Sequence, residues 1–314
     1  MAIPDYQSLM LPFLKIAGDG QEHYVRDVQK QLADQFKLSE AERSQLLPSG
    51  TCRIVDNRIG WARTYLKFAG LITYPRRGYF RITDRGKQVL NSGVSSINVK
   101  FLRQYPEFVA FISGGKEQKE DKKIDGNDSI DTSEVTPEEQ VEAGYLKLRQ
   151  QLETELLTRV KKCSPEFFED LVVRVLVAMG YGGSLSDAGQ AIGKSGDGGV
   201  DGVIKEDRLG LDVIYIQAKR WNTGTVGSPE IQKFVGALQG RKARRGVFIT
   251  TSTFSKAAQD YAAAIETKVV LIDGARLAEL MFDFGVGVAT VRQYEVKTID
   301  NDFFEDEDET DSPT

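Results

Sequence analysis

Residues 188–202, AGQAIGKSGDGGVDG, hold two competing pieces of phosphate chemistry. Ala188–Ser195 nearly follows the phosphate-cradling pattern G-x-x-x-x-G-K-[ST], with Ala188 in the first glycine position. Such a loop needs a buried strand before it and a helix after it, so that backbone N–H groups face the phosphates. Here YGGSLSD precedes it and GDGG follows, and neither suits those roles. The run VVLID at 269–273 imitates the acidic strand end of nucleotide-binding folds, but apolar residues before an acid are common at strand ends. No nucleotide site and no ATP are expected. The glycines read better as a loop that lets backbone approach another group closely.

The second piece is Asp201, which opens the run VDGVI and precedes the strand-like DVIYIQAK of residues 212–219. Side chains alternate along a strand. Val213, Tyr215, Gln217 and Lys219 therefore share one face, and Ile214, Ile216 and Ala218 the other. A short antiparallel connection brings Asp201 beside Gln217 and Lys219. An acid, an amide oxygen and a lysine at a sheet edge suit phosphodiester hydrolysis. A hard cation, Mg²⁺ or Mn²⁺, takes oxygen ligands and activates water, while a lysine neutralises developing charge. The residues by themselves leave a second reading open: a glycine-flanked turn aspartate and two exposed polar strand residues.

Those three residues need a sheet with helices to hold it. From Ser164-Pro165 onward the chain alternates helices and strands. A first helix carries the stripe Phe168, Val172, Val175 and Met179. Strands are expected near 199–204 and 212–219, a helix near 228–243, the strand RGVFITT, a helix from Ser255, the strand VVLID, and a helix from 275. This alternation implies parallel pairing and an α/β domain. Thr136-Pro137-Glu138-Glu139 caps a long helix reaching toward residue 162.

The first block is mainly helical. Val25, Val28, Leu32 and Phe36 repeat at helical spacing, and Ser39 to Glu42 form a capping box. A third helix, NRIGWARTYLKFAGLI, is expected to be capped by Asp56 or Asn57. It buries Ile59, Ala62, Leu66 and Ala69 and ends at Gly70. ITYPRRGYFRIT then reads as a basic hairpin. Three helices followed by a hairpin describe a winged helix. Tyr65 and Tyr79 are expected in its core.

Net charge is −5, yet its distribution is uneven. Residues 300–314 carry eight acids and no base, and residues 116–142 carry ten acids and four lysines. Without these runs the remainder stands at +9. Arg53 to Lys87 alone holds nine bases against two acids. Arg53, Arg58, Arg63, Lys67, Arg76, Arg77 and Arg81 form a candidate DNA-binding set, since phosphate contacts supply affinity for a polyanion. A single histidine, His23, and two distant cysteines exclude a Cys/His zinc centre, a disulfide framework and any two-histidine mechanism. No run approaches a membrane span and no secretion signal is visible, so a cytoplasmic, DNA-associated location and no membrane partner are expected.

In chain order, Ser164-Pro165 with Phe168-Glu169, Met179–Gly183, Gly196–Gly202, Gln217–Trp221 and Gly246–Ser252 resemble the catalytic domain of the Mrr family of restriction endonucleases. That family lies within the PD-(D/E)xK nuclease superfamily. The resemblance covers about 160–285, and the first block resembles the family's winged-helix domain. It implies an αβββαβ restriction-endonuclease-like core, with Asp201 as metal ligand and Lys219 as catalytic lysine. Gln217 stands where the wider superfamily has an acid, and Glu169 matches the acid on the first helix. It also implies methylated double-stranded DNA as substrate, 5′-phosphate and 3′-hydroxyl ends, and at least a homodimer, because one site cuts one strand. The expected division is 1–112 winged helix, 113–136 acidic linker, 137–298 nuclease domain with its preceding long helix, and 299–314 acidic tail. The alternatives are a DNA-binding regulator with a degenerate nuclease fold and a structure-specific repair nuclease.

Overall fold

The structure, a computed structural model, describes residues 2–113, 134–182, 200–206, 212–221, 223–297 and 299. The near-P-loop Ala188–Ser195, most of the expected linker and nearly all of the acidic tail lie outside the described residues. Two compact units divide at Leu148/Arg149. That division falls within a helix, α8, described below.

The N-terminal unit contains α1 (Tyr6–Ile16), β1 (His23–Tyr24), α2 (Val25–Gln35), α3 (Glu40–Ser44), α4 (Ile54–Phe68), β2 (Ile72–Thr73), β3 (Tyr79–Ile82), α5 (Asp84–Asn91), α6 (Val99–Leu102) and α7 (Pro106–Ile112). Its antiparallel sheet has the order β1-β3-β2. The apolar stripes forecast their helices. Val28 and Leu32 of α2 are buried, as are Ile59, Ala62, Leu66 and Ala69 at α4. They close on Phe13, Leu14 and Phe80 in one core. Each Val, Leu, Ile or Phe side chain among them, removed from water, contributes about 1.5–3 kcal/mol. Ser39 caps α3 with the expected reciprocal bonds to Glu42. Gly70, at φ 70°, ends α4 in the left-handed region that glycine enters without strain.

The start of α4 departs from expectation. The helix opens at Ile54 with Arg53 as an N-cap that makes no side-chain bond. Asp56 and Asn57 lie inside the first turn. Asn57 is engaged elsewhere: its Oδ1 accepts from Thr136 Oγ1 at 2.7 Å and its Nδ2 donates to Glu138. Thr136 and Glu139 form the expected capping box on α8 (Pro137–Lys162). Glu138 also accepts from Trp61 Nε1, and Glu139 pairs with Arg58. The first turn of α8 is therefore pinned to α4, which explains why this turn belongs to the N-terminal unit.

The C-terminal unit holds the later turns of α8, then α9 (Pro165–Ala178), β4 (Gly202–Lys205), β5 (Val213–Lys219), β6 (Thr225–Val226), α10 (Ser228–Gly240), β7 (Arg245–Thr250), β8 (Thr253–Phe254), α11 (Lys256–Ala264), β9 (Lys268–Ile272) and α12 (Gly274–Asp283). The main sheet has the order β4-β5-β7-β9. β4 runs antiparallel to β5, while β5, β7 and β9 are parallel. β6 and β8 pair with each other outside it. Side chains alternate between two cores. Ile214, Ile216, Ala218 and Ile249 face Phe168 and Val172 of α9 and Leu277 and Met281 of α12. Tyr215 and Phe248 face Ile231, Phe234 and Leu238 of α10. A parallel sheet buried on both faces needs such helices. Gly246 permits the approach of α10 to β7: a Cβ there would stand 2.7 Å from Phe234 and 2.8 Å from Leu238.

Candidate active site

Asp201 stands one residue before β4, and its backbone N–H donates to Ile216 O at 2.9 Å. This extends the antiparallel register by one position, so Asp201 lies opposite Gln217. Its Oδ2 accepts Gln217 Nε2 at 2.6 Å and the Ala218 backbone N–H at 2.8 Å. The expected neighbourhood of Asp201, Gln217 and Lys219 is therefore present at one end of β5. Gln217 is 5% exposed, a buried polar side chain whose N–H partner is the carboxylate itself.

The carbonyl ends of β5 and β7 fix this corner. Thr250 Oγ1 donates to Lys219 O at 2.8 Å. Thr251 Oγ1 donates to Trp221 O at 2.7 Å and accepts the Trp221 N–H at 2.9 Å. Both threonines are buried. They bind the chain on either side of Arg220, so the lysine's backbone is held while its four-carbon stem stays long and rotatable.

Burial raises the Asp201 carboxyl above its usual range. The Ala218 N–H, Gln217 and Lys219 oppose that rise. Glu169, on α9, is also raised, first by burial and then by the charges of Asp201 and Glu166. Glu169 thus lies within the electrostatic reach of Asp201. A carboxyl raised by a neighbouring carboxylate suits the company of a cation. No cluster of three or more His, Cys, Asp or Glu residues able to hold a metal occurs among the described residues. The donor set is then two carboxylates and one amide, with Asp201 Oδ1 free of hydrogen bonds among the described residues. Hard oxygen donors of this kind fit a divalent cation that keeps waters and phosphate oxygens for its other positions.

Glu230, in the first turn of α10, was not visible as a site residue in the sequence. Its Oε2 receives Lys219 Nζ, and its Oε1 receives Lys233 Nζ at 2.8 Å. These lysines hold its carboxyl below the usual range. One signal was available: a helix that follows a strand of an α/β sheet starts near the carboxyl ends of the strands, where sites form.

The basic set of the N-terminal unit divides. Arg58 is a correction: it lies in the fold, not on an open basic face. Its guanidinium donates to Ile3 O at 2.7 Å and pairs with Glu139 at 2.9 Å, with 17% and 11% of the two side chains exposed. Arg63 stacks over Tyr74 at 5.2 Å, and its Nε is buried without a hydrogen-bond partner among the described residues. Lys67 lies over the same ring at 4.6 Å. Arg76 covers the Tyr79 ring at 3.7 Å and pairs with Glu22 at 3.0 Å. Arg53, Lys67, Arg76, Arg77 and Arg81 are exposed. No helix among the described residues is long and apolar enough to cross a membrane.

Comparison with known proteins places these features in a family. Residues 160–281 match the family described as Restriction endonuclease, and residues 6–92 match the Mrr N-terminal domain. The chain is 37% identical over 319 residues to the Type IV methyl-directed restriction enzyme EcoKMrr of Escherichia coli (strain K12). That match covers 97% of this chain and 100% of the relative. A solved structure, MspJI Restriction Endonuclease in Complex with 27-mer Oligonucleotide, matches at 26% identity over 46% of this chain and 32% of that one. Its TM-score of 0.28 carries no structural argument. With both domain matches in the expected order and a relative aligned from end to end, the chain belongs to the Mrr family of restriction endonucleases.

Proposed function

We propose that this protein is a modification-dependent, type IV endonuclease that hydrolyses phosphodiester bonds of methylated double-stranded DNA. The observation that carries the site assignment is the convergence of Asp201, Gln217 and Lys219 at one end of β5. Asp201, Glu169 and the amide oxygen of Gln217 would hold a divalent cation, Mg²⁺ or Mn²⁺. When bound, the cation supplies a water of lowered pKa and charge stabilisation at phosphorus. Gln217 brings no charge, so metal affinity is weaker than with an acid in its place. The Ala218 N–H and Gln217 fix the orientation of Asp201. Lys219 orients the attacking water and offsets negative charge on the phosphate as the bond to the leaving oxygen breaks.

The N-terminal unit acts as a winged helix on DNA, with Arg53, Lys67, Arg76, Arg77 and Arg81 on phosphates and Arg63 held against Tyr74. The C-terminal unit supplies an αβββαβ-type nuclease core. Cutting both strands takes two sites, hence a homodimer or larger assembly. The setting is cytoplasmic, with no ATP requirement. A second reading, a DNA-binding regulator with a degenerate site, draws on Gln217 standing at the acid position.

The test is one plasmid in methylated and unmethylated forms, incubated with Mg²⁺ and no ATP, beside Asp201→Ala. The expected result is cleavage of the methylated form alone, lost in the variant. Equal cutting of both forms removes the modification dependence. Metal-independent binding without cutting of any methylated substrate favours the regulator.

A further inference from the structure

We infer that Glu230 is a positioning residue that holds the Lys219 ammonium away from Asp201, leaving that carboxylate to the cation. The inference rests on the endonuclease reading above.

Among the described residues, Lys219 interacts with two carboxylates. One is Glu230, which its Nζ contacts directly. The other is Asp201, on which its charge acts without a hydrogen bond among the described residues. A lysine is a point charge on a flexible stem and settles on whichever carboxylate is better placed. The fold favours Glu230 in three ways. Glu230 sits in the first turn of α10, where the N-terminal end of the helix favours a negative charge. Its other oxygen is engaged by Lys233 at 2.8 Å, which limits its rotation. The side chains of the Glu230–Lys219 pair are 18% and 33% exposed, against 73% for Lys233, so water screens the Lys219 contact less than the Lys233 contact.

Asp201 is held differently. Its Oδ2 already accepts two N–H groups, and Oδ1 is open. Without Glu230, the carboxylate left in the field of the Lys219 ammonium among the described residues is Asp201, with that open oxygen. The lysine would then compete with the cation for its main ligand. A site with an acid at position 217, as in the wider superfamily, has charge to spare. Here Gln217 leaves Asp201 and Glu169 as the anionic donors among the described residues, so a competing ammonium at Asp201 costs more.

The test uses the full-length protein and reads metal binding without cleavage. Thermal unfolding is followed while Mn²⁺ is titrated, and the midpoint of the stabilisation curve gives apparent affinity. In Glu230→Gln, which preserves size and an acceptor oxygen, the midpoint is expected to move to about 10-fold higher Mn²⁺, equivalent to ~1.4 kcal/mol. In Lys219→Met/Glu230→Gln the competing ammonium is gone, and the midpoint is expected to return to that of wild type or below. A structural role for Glu230 predicts no such return. An unchanged midpoint in Glu230→Gln, or failure of the double variant to restore it, overturns the inference. If wild type binds Mn²⁺ and cleaves while Glu230→Gln behaves like it, only this inference falls. If Asp201→Ala retains the Mn²⁺ response, the site assignment itself fails, and the inference with it.

Discussion

The two groups of polar residues that the sequence offers meet opposite fates. At the end of β5, side chains from sequence-distant elements converge, and each is bonded to another of the group or lies within its field. Around α4, a dense run of bases is dispersed. Arg58 turns inward to Glu139, Arg63 and Lys67 gather on Tyr74, and other bases face outward. Charge density in a sequence does not distinguish a base that meets a ligand from one that ties two helices together. Alternation along a strand does carry that information, because it fixes the face on which a side chain emerges.

The sharpest break of this comparison is Lys219→Ala. Cleavage is expected to fall by about 10³-fold or more, the scale of losing a group aimed at transition-state charge. DNA affinity is expected to change little. Cleavage within 10-fold of wild type, measured in single turnover, would dissolve the convergence as an active site.

Next in size are two structural probes, one in each region. Arg58→Ala leaves Glu139 and two backbone carbonyls without their donor, and is expected to destabilise the N-terminal unit by about 1–3 kcal/mol. Arg81→Ala, at an exposed position, is expected to leave stability within about 0.5 kcal/mol. It should instead reduce the salt slope of DNA binding by about 0.9. If denaturant unfolding and binding isotherms show the reverse assignment, the division of the basic set is wrong. In the other unit, Gly246→Ala forces a methyl against Phe234 and Leu238. Overpacking of this kind is expected to cost about 1–3 kcal/mol.

The smallest effect is also the most pointed. Asp201→Asn keeps an oxygen able to accept both N–H groups and removes the buried charge. Because burial raises the Asp201 carboxyl, the folded protein binds its proton more tightly than the unfolded chain does. Stability from this group is therefore present at low pH and is lost as pH rises through the folded value. Metal-free Asp201→Asn should melt above wild type at pH 7, with the difference vanishing near pH 4. A lower melting temperature at pH 7 would mean that the carboxylate charge stabilises the fold.

Much of the architecture was legible. The stripes of α2, α4 and α9, the capping boxes at Ser39 and Thr136, and the strands β4, β5, β7 and β9 follow from local periodicity and short-range bonds. What escaped depends on distant partners. Asn57 looks like a cap in isolation, but its side chain is bonded to Thr136 and Glu138, some eighty positions away. Arg58 is indistinguishable from Arg81 until Glu139 is beside it. Glu230 resembles any acid in a first helical turn, and only the return of α10 to the end of β5 gives it Lys219.

The pinning of the first turn of α8 onto α4 bears on how the protein can be divided. A fragment ending at residue 112, where a reader of the sequence would cut, strips Asn57, Arg58 and Trp61 of partners at once. One ending at 148 retains all of them. The shorter piece would emerge from expression as an unreliable reporter of DNA recognition, and its failings would be mistaken for properties of the intact enzyme.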